Sequence, residues 1–359
     1  MILQTPASSK HHAGPGARRE GEAWGGGAGP VYGVRMAPGS ARRRAHRSPA
    51  LAVPLLSLLL TAPQPEAQAQ PGERQAPAAP PRLAVAHLAR AVAPGEAVLL
   101  TVTAPGPIEA LDVRAFGGRF MGYPGASPAT WHALVGIDLD TRPGRARVEI
   151  EARTPDGRVL QAAHSLAVAR KDFPTRRLSV APGFVTPPPS ERARIERERV
   201  RTAQILAEVT PAPLWGEGFV RPAPGAVISL FGARSIYNGR VGSPHRGVDL
   251  RGAAGTPVVA PAGGRVALAD SLYFSGTTVI IDHGLGIHSM LAHLSRIDVA
   301  EGAEVAPGDA IGAIGATGRV TGPHLHWTLR LGSVSVDPMS VLDLPGIAKR
   351  AHYPIQPPG

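Results

Sequence analysis

Histidines and one aspartate between residues 245 and 326 hold the candidate chemistry of this 359-residue chain. His245-Arg-Gly-Val-Asp249 sets an imidazole and a carboxylate four residues apart, and His324-Leu-His326 sets two imidazoles two apart. His283, His288 and His293 lie between them. In an extended strand, side chains at i and i+2 share a face, so His324 and His326 point the same way. Buried together without partners, two rings would cost roughly 1–3 kcal/mol; a metal ion or an anionic substrate removes that cost. The chain has no cysteine, which excludes disulfides, a thiol nucleophile, thiolate-held zinc, iron–sulfur clusters and a lipid anchor on Cys. Any metal is therefore held by His, Asp or Glu. Catalytic zinc takes three protein ligands and keeps one position for water, whose pKa falls to roughly 7. Two histidines and one carboxylate meet that count, while spacing alone leaves open which of His324 and His326 is the ligand.

The elements that must position these groups read as β. From about 225 to 343, strand-like runs at 277–282 and 287–294 are joined by Gly284-Leu285-Gly286, and runs at 303–305 and 310–314 flank Pro307-Gly308. No helix-length period appears there, so an all-β domain with a loop-shaped groove is expected. Leu325 and Leu329 then face the core, with Trp327. From 82 to 180, short apolar runs (97–102, 146–152, 159–168) alternate with Pro-Gly and Asp-Gly turns, the pattern of an immunoglobulin-like β-sandwich. Trp131 and His132 read as core and edge. Between the two, Pro187-Pro188-Pro189 stops the chain and Ser190 can cap a helix within a connector at 187–210. Its charges alternate in sign, as on a solvated face. Residues 344–359 read as a tail.

The chain carries 38 Lys and Arg against 27 Asp and Glu, a net +11. More than half of this excess sits in the first fifty residues, where eight basic residues face only Glu20 and Glu22. Met36, Arg42-Arg43-Arg44 and Arg47, the apolar run 50–62 and Ala67-Gln68-Ala69 follow in the order of a secretory signal peptide over 36–69, ahead of a Pro/Ala-rich linker at 70–81. Residues 1–35 then read as an over-called start. A nucleic-acid partner loses its electrostatic support, because the charge lies outside the folded part. An uncleaved signal would instead anchor the chain in the inner membrane.

The ordered set Ser229-Leu-Phe-Gly-Ala-Arg234, His245-Arg-Gly-Val-Asp-Leu250, Gly255-Thr-Pro-Val258, Gly264-Arg-Val266, Val279-Ile-Ile-Asp-His-Gly284, Ala292-His-Leu294, Gly302, Gly308, Gly315-Ala-Thr-Gly318 and Gly322-Pro-His-Leu-His326 resembles the lysostaphin-type (LytM-like) zinc metallopeptidases, which are peptidoglycan endopeptidases. The resemblance covers about residues 225–343. It implies that His245, Asp249 and His326 bind Zn2+, and that His293 and His324 are the catalytic histidines that handle the water proton and the oxyanion charge. It further implies a periplasmic or secreted enzyme that cuts peptide cross-links, with the β-sandwich positioning or gating the groove. Some relatives have lost the zinc site and activate wall amidases without enzymatic activity; all five residues stand here. A general secreted protease is a third reading. Leu291 holds a position commonly aromatic in the family and is expected on the groove wall, His283 is expected as a turn residue and His288 at the surface or groove rim. Arg246 and Asn238 are read as surface residues within reach of substrate. The bond cleaved and any protein controlling access are not encoded in these motifs.

Overall fold

The computed structural model describes residues 82–216 and 218–347. The expected signal peptide, linker and over-called start, and residues 348–359 of the tail, lie outside the described residues. The first seven strands are β1 (Ala84–Leu88), β2 (Ala97–Thr103), β3 (Ala110–Ala115), β4 (Gly118–Pro124), β5 (Thr130–Gly136), β6 (Gly144–Arg153) and β7 (Val159–Val168). Their order, β1-β2-β5-β4-β3-β6-β7, matches the A-B-E-D and C-F-G layers of an immunoglobulin constant-type sandwich. Strand β4 joins the layers: residues 118–121 pair with β3 and residues 122–124 with β5. Val98, Leu100 and Val102 from one layer and Val113, Ile150 and Leu166 from the other fill one buried cluster, so aliphatic packing does what a disulfide does in many such sandwiches. Trp131 is buried, and His132 sits half-buried against Thr101.

The connector departs from a plain helical link. Residues Thr175–Leu178 form β8, which adds in parallel to β10 (Arg234–Tyr237), and β10 pairs with β11 (Arg240–Pro244). A 3-10 turn at Pro182–Phe184 leads to helix α1, Pro189–Ala207. Ser190 does not cap it: Pro188 is the N-cap residue, without a side-chain hydrogen bond, and Pro189 occupies the first helical position, where its missing N–H costs nothing. No residue of α1 is buried, yet charged side chains dock it. Arg201 pairs with Asp270 and Glu301, and Arg194 donates to the Ser271 carbonyl.

The remaining strands are β9 (Val227–Ser229), β12 (Val248–Arg251), β13 (Pro257–Val259), β14 (Gly264–Leu272), β15 (Gly276–Asp282), β16 (Ile287–Ile297), β17 (Glu304–Val305), β18 (Ala310–Ile314), β19 (His324–Leu331) and β20 (Val334–Val336), followed by the short helix α2 (Pro338–Leu342). They form one ten-stranded sheet in which β17-β14-β15-β16-β19-β12-β9 are successive neighbours. Strand β19 alternates half-buried His324, His326, Thr328 and Arg330 with buried Leu325, Trp327, Leu329 and Leu331, so its odd positions supply core and its even positions a functional face. Leu329, Leu331, Val334 and Val336 join the sandwich core. Arg90 of the sandwich hydrogen-bonds Glu96, Asp337 and Asp343 around this joint. All described residues fall within one compact unit, and among them no helix is long and apolar enough to cross a membrane.

Three expectations need correction. His288 is not at the surface or groove rim: it is 1% exposed, because β16 runs mid-sheet with both faces covered. Its ring nitrogens make no well-formed hydrogen bond; the Gly286 backbone lies near them and Asp282 is 3.8 Å away. Leu291 is not on the groove wall but fully buried in the core; its neighbour Met290 faces the groove instead. Asn238 is not available to a substrate, since its amide donates to the Val180 carbonyl and accepts from the Val180 N–H, bracing the connector.

His283 also lies inside, at the turn leaving β15; its Nδ1–H donates to the Gly263 carbonyl and its Nε2 has no partner. Burial pushes His283 down to about 4 and lowers His288, despite Asp282 nearby; Arg330 and Glu208 are the other charges facing His288. The unfolded chain therefore binds protons below about pH 6.5 that the native state refuses, so stability falls as pH drops from 7 towards 4. Replacing His288 with Leu, similar in volume and free of unpaired nitrogens, is expected to leave Tm unchanged or higher at pH 7 and to weaken its fall between pH 6.5 and 4.5, as thermal melts at several pH values would show.

Candidate active site

Asp249 and His326 are direct cross-strand partners on β12 and β19, and His245 enters from the loop just before β12. The His245 Nε2, Asp249 Oδ1 and His326 Nδ1 atoms form a triangle whose three sides are each 3.0 Å. His324 lies at the edge of this triangle, with Nε2 3.7 Å from Asp249 Oδ1. The His293 ring is 5.0 Å from that of His324 and 5.9 Å from that of His326. All five predicted site residues line one cleft of about 210 Å³. His283 and His288 do not reach it. Arg246, expected near substrate, turns towards Asp138 and Asp140 of the sandwich, 3.9 Å from each.

Backbone carbonyls set the tautomers of three of the rings. A carbonyl only accepts, so each nitrogen facing one carries the proton and its partner presents a lone pair. Nδ1–H of His245 donates to the Leu230 carbonyl at 3.0 Å, that of His293 to Thr317 at 2.8 Å and that of His324 to Gly322 at 2.8 Å. The three Nε2 atoms are thereby left as acceptors. His326 is turned the other way: its Nε2 meets the Thr328 hydroxyl at 2.9 Å, so Nδ1 faces the triangle. Thr328 lies two residues along the same strand, so the i, i+2 rule that paired His324 with His326 could have flagged it; the three carbonyls left no signal in the sequence.

His293 owes its place to a β-bulge. Between β15 and β16 the register advances three residues on one strand against two on the other, from Val279↔Leu291 to Thr277↔Leu294. His293 is in the left-handed region, φ 65°, a strained conformation for a non-glycine residue. The extra residue re-aims its ring into the cleft. Across the cleft floor, Gly247 runs so close to β19 that a Cβ there would lie 2.5 Å from the Trp327 carbonyl oxygen and 2.8 Å from the His326 ring.

Burial alone would raise the Asp249 carboxyl, but the His245 and His326 rings beside it outweigh burial and hold the group well below the usual carboxylate range. Burial, reinforced by His326 and His324, pushes His293 down to about 3, and burial also lowers His326. A carboxylate oxygen and two imidazole nitrogens converge on one point. A tetrahedral zinc bonded at about 2.0–2.1 Å requires donors roughly 3.3 Å apart, close to the observed triangle. The residues present fit such an ion.

Two imidazoles and a carboxylate at the floor of a β-walled cleft are the donor set of a mononuclear metal hydrolase. Comparison with known proteins specifies the class further. Residues 243–338 match peptidase family M23. A solved M23 peptidase structure from Pseudomonas aeruginosa aligns with TM-score 0.54 and 32% identity over 69% of this chain and 93% of that one. The chain belongs to peptidase family M23. It is also 42% identical over 97 residues to the DD-carboxypeptidase/endopeptidase Mpg of Neisseria meningitidis, covering 27% of this chain and 22% of that protein. Identity to the peptidoglycan DD-endopeptidase ShyA of Vibrio cholerae is 42% over 87 residues, 24% of this chain and 20% of that protein. The chain thus spans about a fifth of the length of these two curated relatives.

The tight approach at Gly247 yields a direct test. Gly247→Ala overpacks the cleft floor against backbone, at a cost of about 1–3 kcal/mol, and is expected to lower Tm by roughly 2–10 °C in a thermal melt.

Proposed function

We propose that the chain is a zinc-dependent endopeptidase that hydrolyses peptide cross-links of bacterial peptidoglycan, acting in the periplasm or after secretion. The observation that carries this reading is the set of five side chains in one cleft, with every lone pair that a metal site and a general base require turned inward. His245, Asp249 and His326 hold the metal. When bound, zinc polarises the scissile carbonyl and acidifies its water. His293 and His324 flank that point with acceptor Nε2 atoms, positioned to take a proton from water and return it to the leaving amine. Once protonated, the same groups stabilise the oxyanion. The names of the relatives Mpg and ShyA support peptidoglycan as the substrate. The intact five-residue set favours hydrolysis over the non-enzymatic activator reading.

In this reading residues 225–343 are the peptidase domain, 82–180 an accessory β-sandwich and 187–210 a helical connector. Among the described residues, strands β1 to β7 do not line the cleft, whereas Arg176, Leu178 and Val180, at the C-terminal end of the 82–180 unit, do. That end of the unit, paired through β8 with β10, is placed to control access.

Zinc content and wall digestion by the full chain test the assignment together. Wild type is expected to bind one zinc per chain and digest purified wall. Asp249→Ala loses both properties, while His324→Ala keeps its zinc and loses about 10²- to 10⁴-fold in rate. Full digestion by the Asp249→Ala protein overturns the zinc mechanism. Thr328→Val, which leaves His326 Nε2 without its hydroxyl, is expected to weaken zinc binding by about 10- to 100-fold in competition with a chromophoric chelator.

A further inference from the structure

The loop between Gly315-Ala-Thr-Gly318 and Gly322-Pro-His-Leu-His326 carries a residue that the five-residue site leaves unexplained. Arg319 lines the same cleft as the histidines. Its guanidinium stacks 4.5 Å from the ring centre of Tyr237, on the three-stranded sheet, and 5.0 Å from that of Phe274, on the β14–β15 turn. Its backbone N–H donates to the Phe274 carbonyl at 2.8 Å, which ties the loop to that turn. The arginine is half-buried and forms no ion pair among the described residues. Most other arginines near the cleft mouth are exposed or already engaged: Arg240 reaches Thr186 and Arg246 faces two aspartates.

Stacking on aromatic faces occupies the face of a guanidinium and leaves its in-plane N–H donors free, in the fork that matches a carboxylate. The charge balance of the cleft points the same way. Asp249 is the sole carboxylate lining it and is committed to His245 and His326, while Arg176 adds a second cation beside Arg319. A metal at the histidine cluster would make the cleft more positive still. Nothing in it suits a cationic peptide, and a neutral one would leave the Arg319 fork facing water.

We infer that Arg319 is a specificity-determining residue that receives a free carboxylate of the substrate. This rests on the peptidase reading and deepens it.

The test compares acetyl-D-Ala-D-Ala with its C-terminal carboxamide, two ligands that differ only in that charge. Binding to the full chain is followed by NMR titration to millimolar peptide, with zinc and after chelation. The wild-type chain is expected to prefer the free acid by about 10- to 100-fold. That preference should survive chelation, collapse to near unity in Arg319→Gln, and return in part in Arg319→Lys, which restores the charge without the fork. Equal affinity of the wild type for acid and amide overturns the inference, as does a preference that Arg319→Gln retains. Because the readout is binding, the two readings fail separately. A zinc-loaded chain that discriminates through Arg319 but cuts neither peptide nor wall refutes the peptidase assignment and leaves the carboxylate site standing.

Discussion

Three potential ligand atoms, His245 Nε2, Asp249 Oδ1 and His326 Nδ1, gathered 3.0 Å from one another constitute the constraint around which this molecule is built. Three groups whose chemistry suits one cation must be held this close, and the scaffold has to fix their positions. The scaffold does so with backbone. Asp249 and His326 sit opposite each other in a ladder with β12 on one side and β16 on the other, and His245 is held by the Leu230 carbonyl from a different loop. Each ring is oriented through the nitrogen that does not face the cleft, which is how outer contacts tune a metal site.

The cost of aiming His293 is concentrated in the backbone. A bulge in β16, a left-handed φ at a non-glycine residue and the Thr317 carbonyl on its Nδ1 act on a single side chain. Thr317 is itself fixed, its hydroxyl donating to the Leu294 carbonyl and accepting from the Thr277 N–H. Two strands and the 315–321 loop are therefore locked around one imidazole. The same loop carries Arg319, so the geometry that serves the chemistry also sets which substrate charge the cleft can meet.

Much of the fold was legible because turn residues and apolar runs are local signals. Pro-Gly and Asp-Gly pairs bounded the sandwich strands, and the i, i+2 rule put His324 and His326 on one face. The failures share a cause. Ser190 lost the cap to Pro188 because a proline one position earlier had already begun the helix. His288 was misplaced because alternation from His293 says which face a residue takes, and here both faces of β16 are covered. The same covering buried Leu291. Strand β8 was missed because its partner β10 lies some sixty residues away, and a four-residue edge strand has no pattern of its own.

By itself the sequence determined which donors exist: with no cysteine, the chain's site chemistry was confined to His and carboxylate, and their spacing in strands ordered them along two short motifs. Tertiary structure decided which histidine of the pair joins Asp249, where each lone pair points and which arginine stands free in the cleft. Spacing along a strand sets only the face of a side chain, whereas the direction of an imidazole lone pair depends on the group packed against its other nitrogen, which for His245 and His293 is a carbonyl from another loop. Whether an arginine is spent on a neighbouring acid or left for a ligand likewise depends on what packs beside it, and for Arg319 that is two aromatic rings contributed by two different sheets.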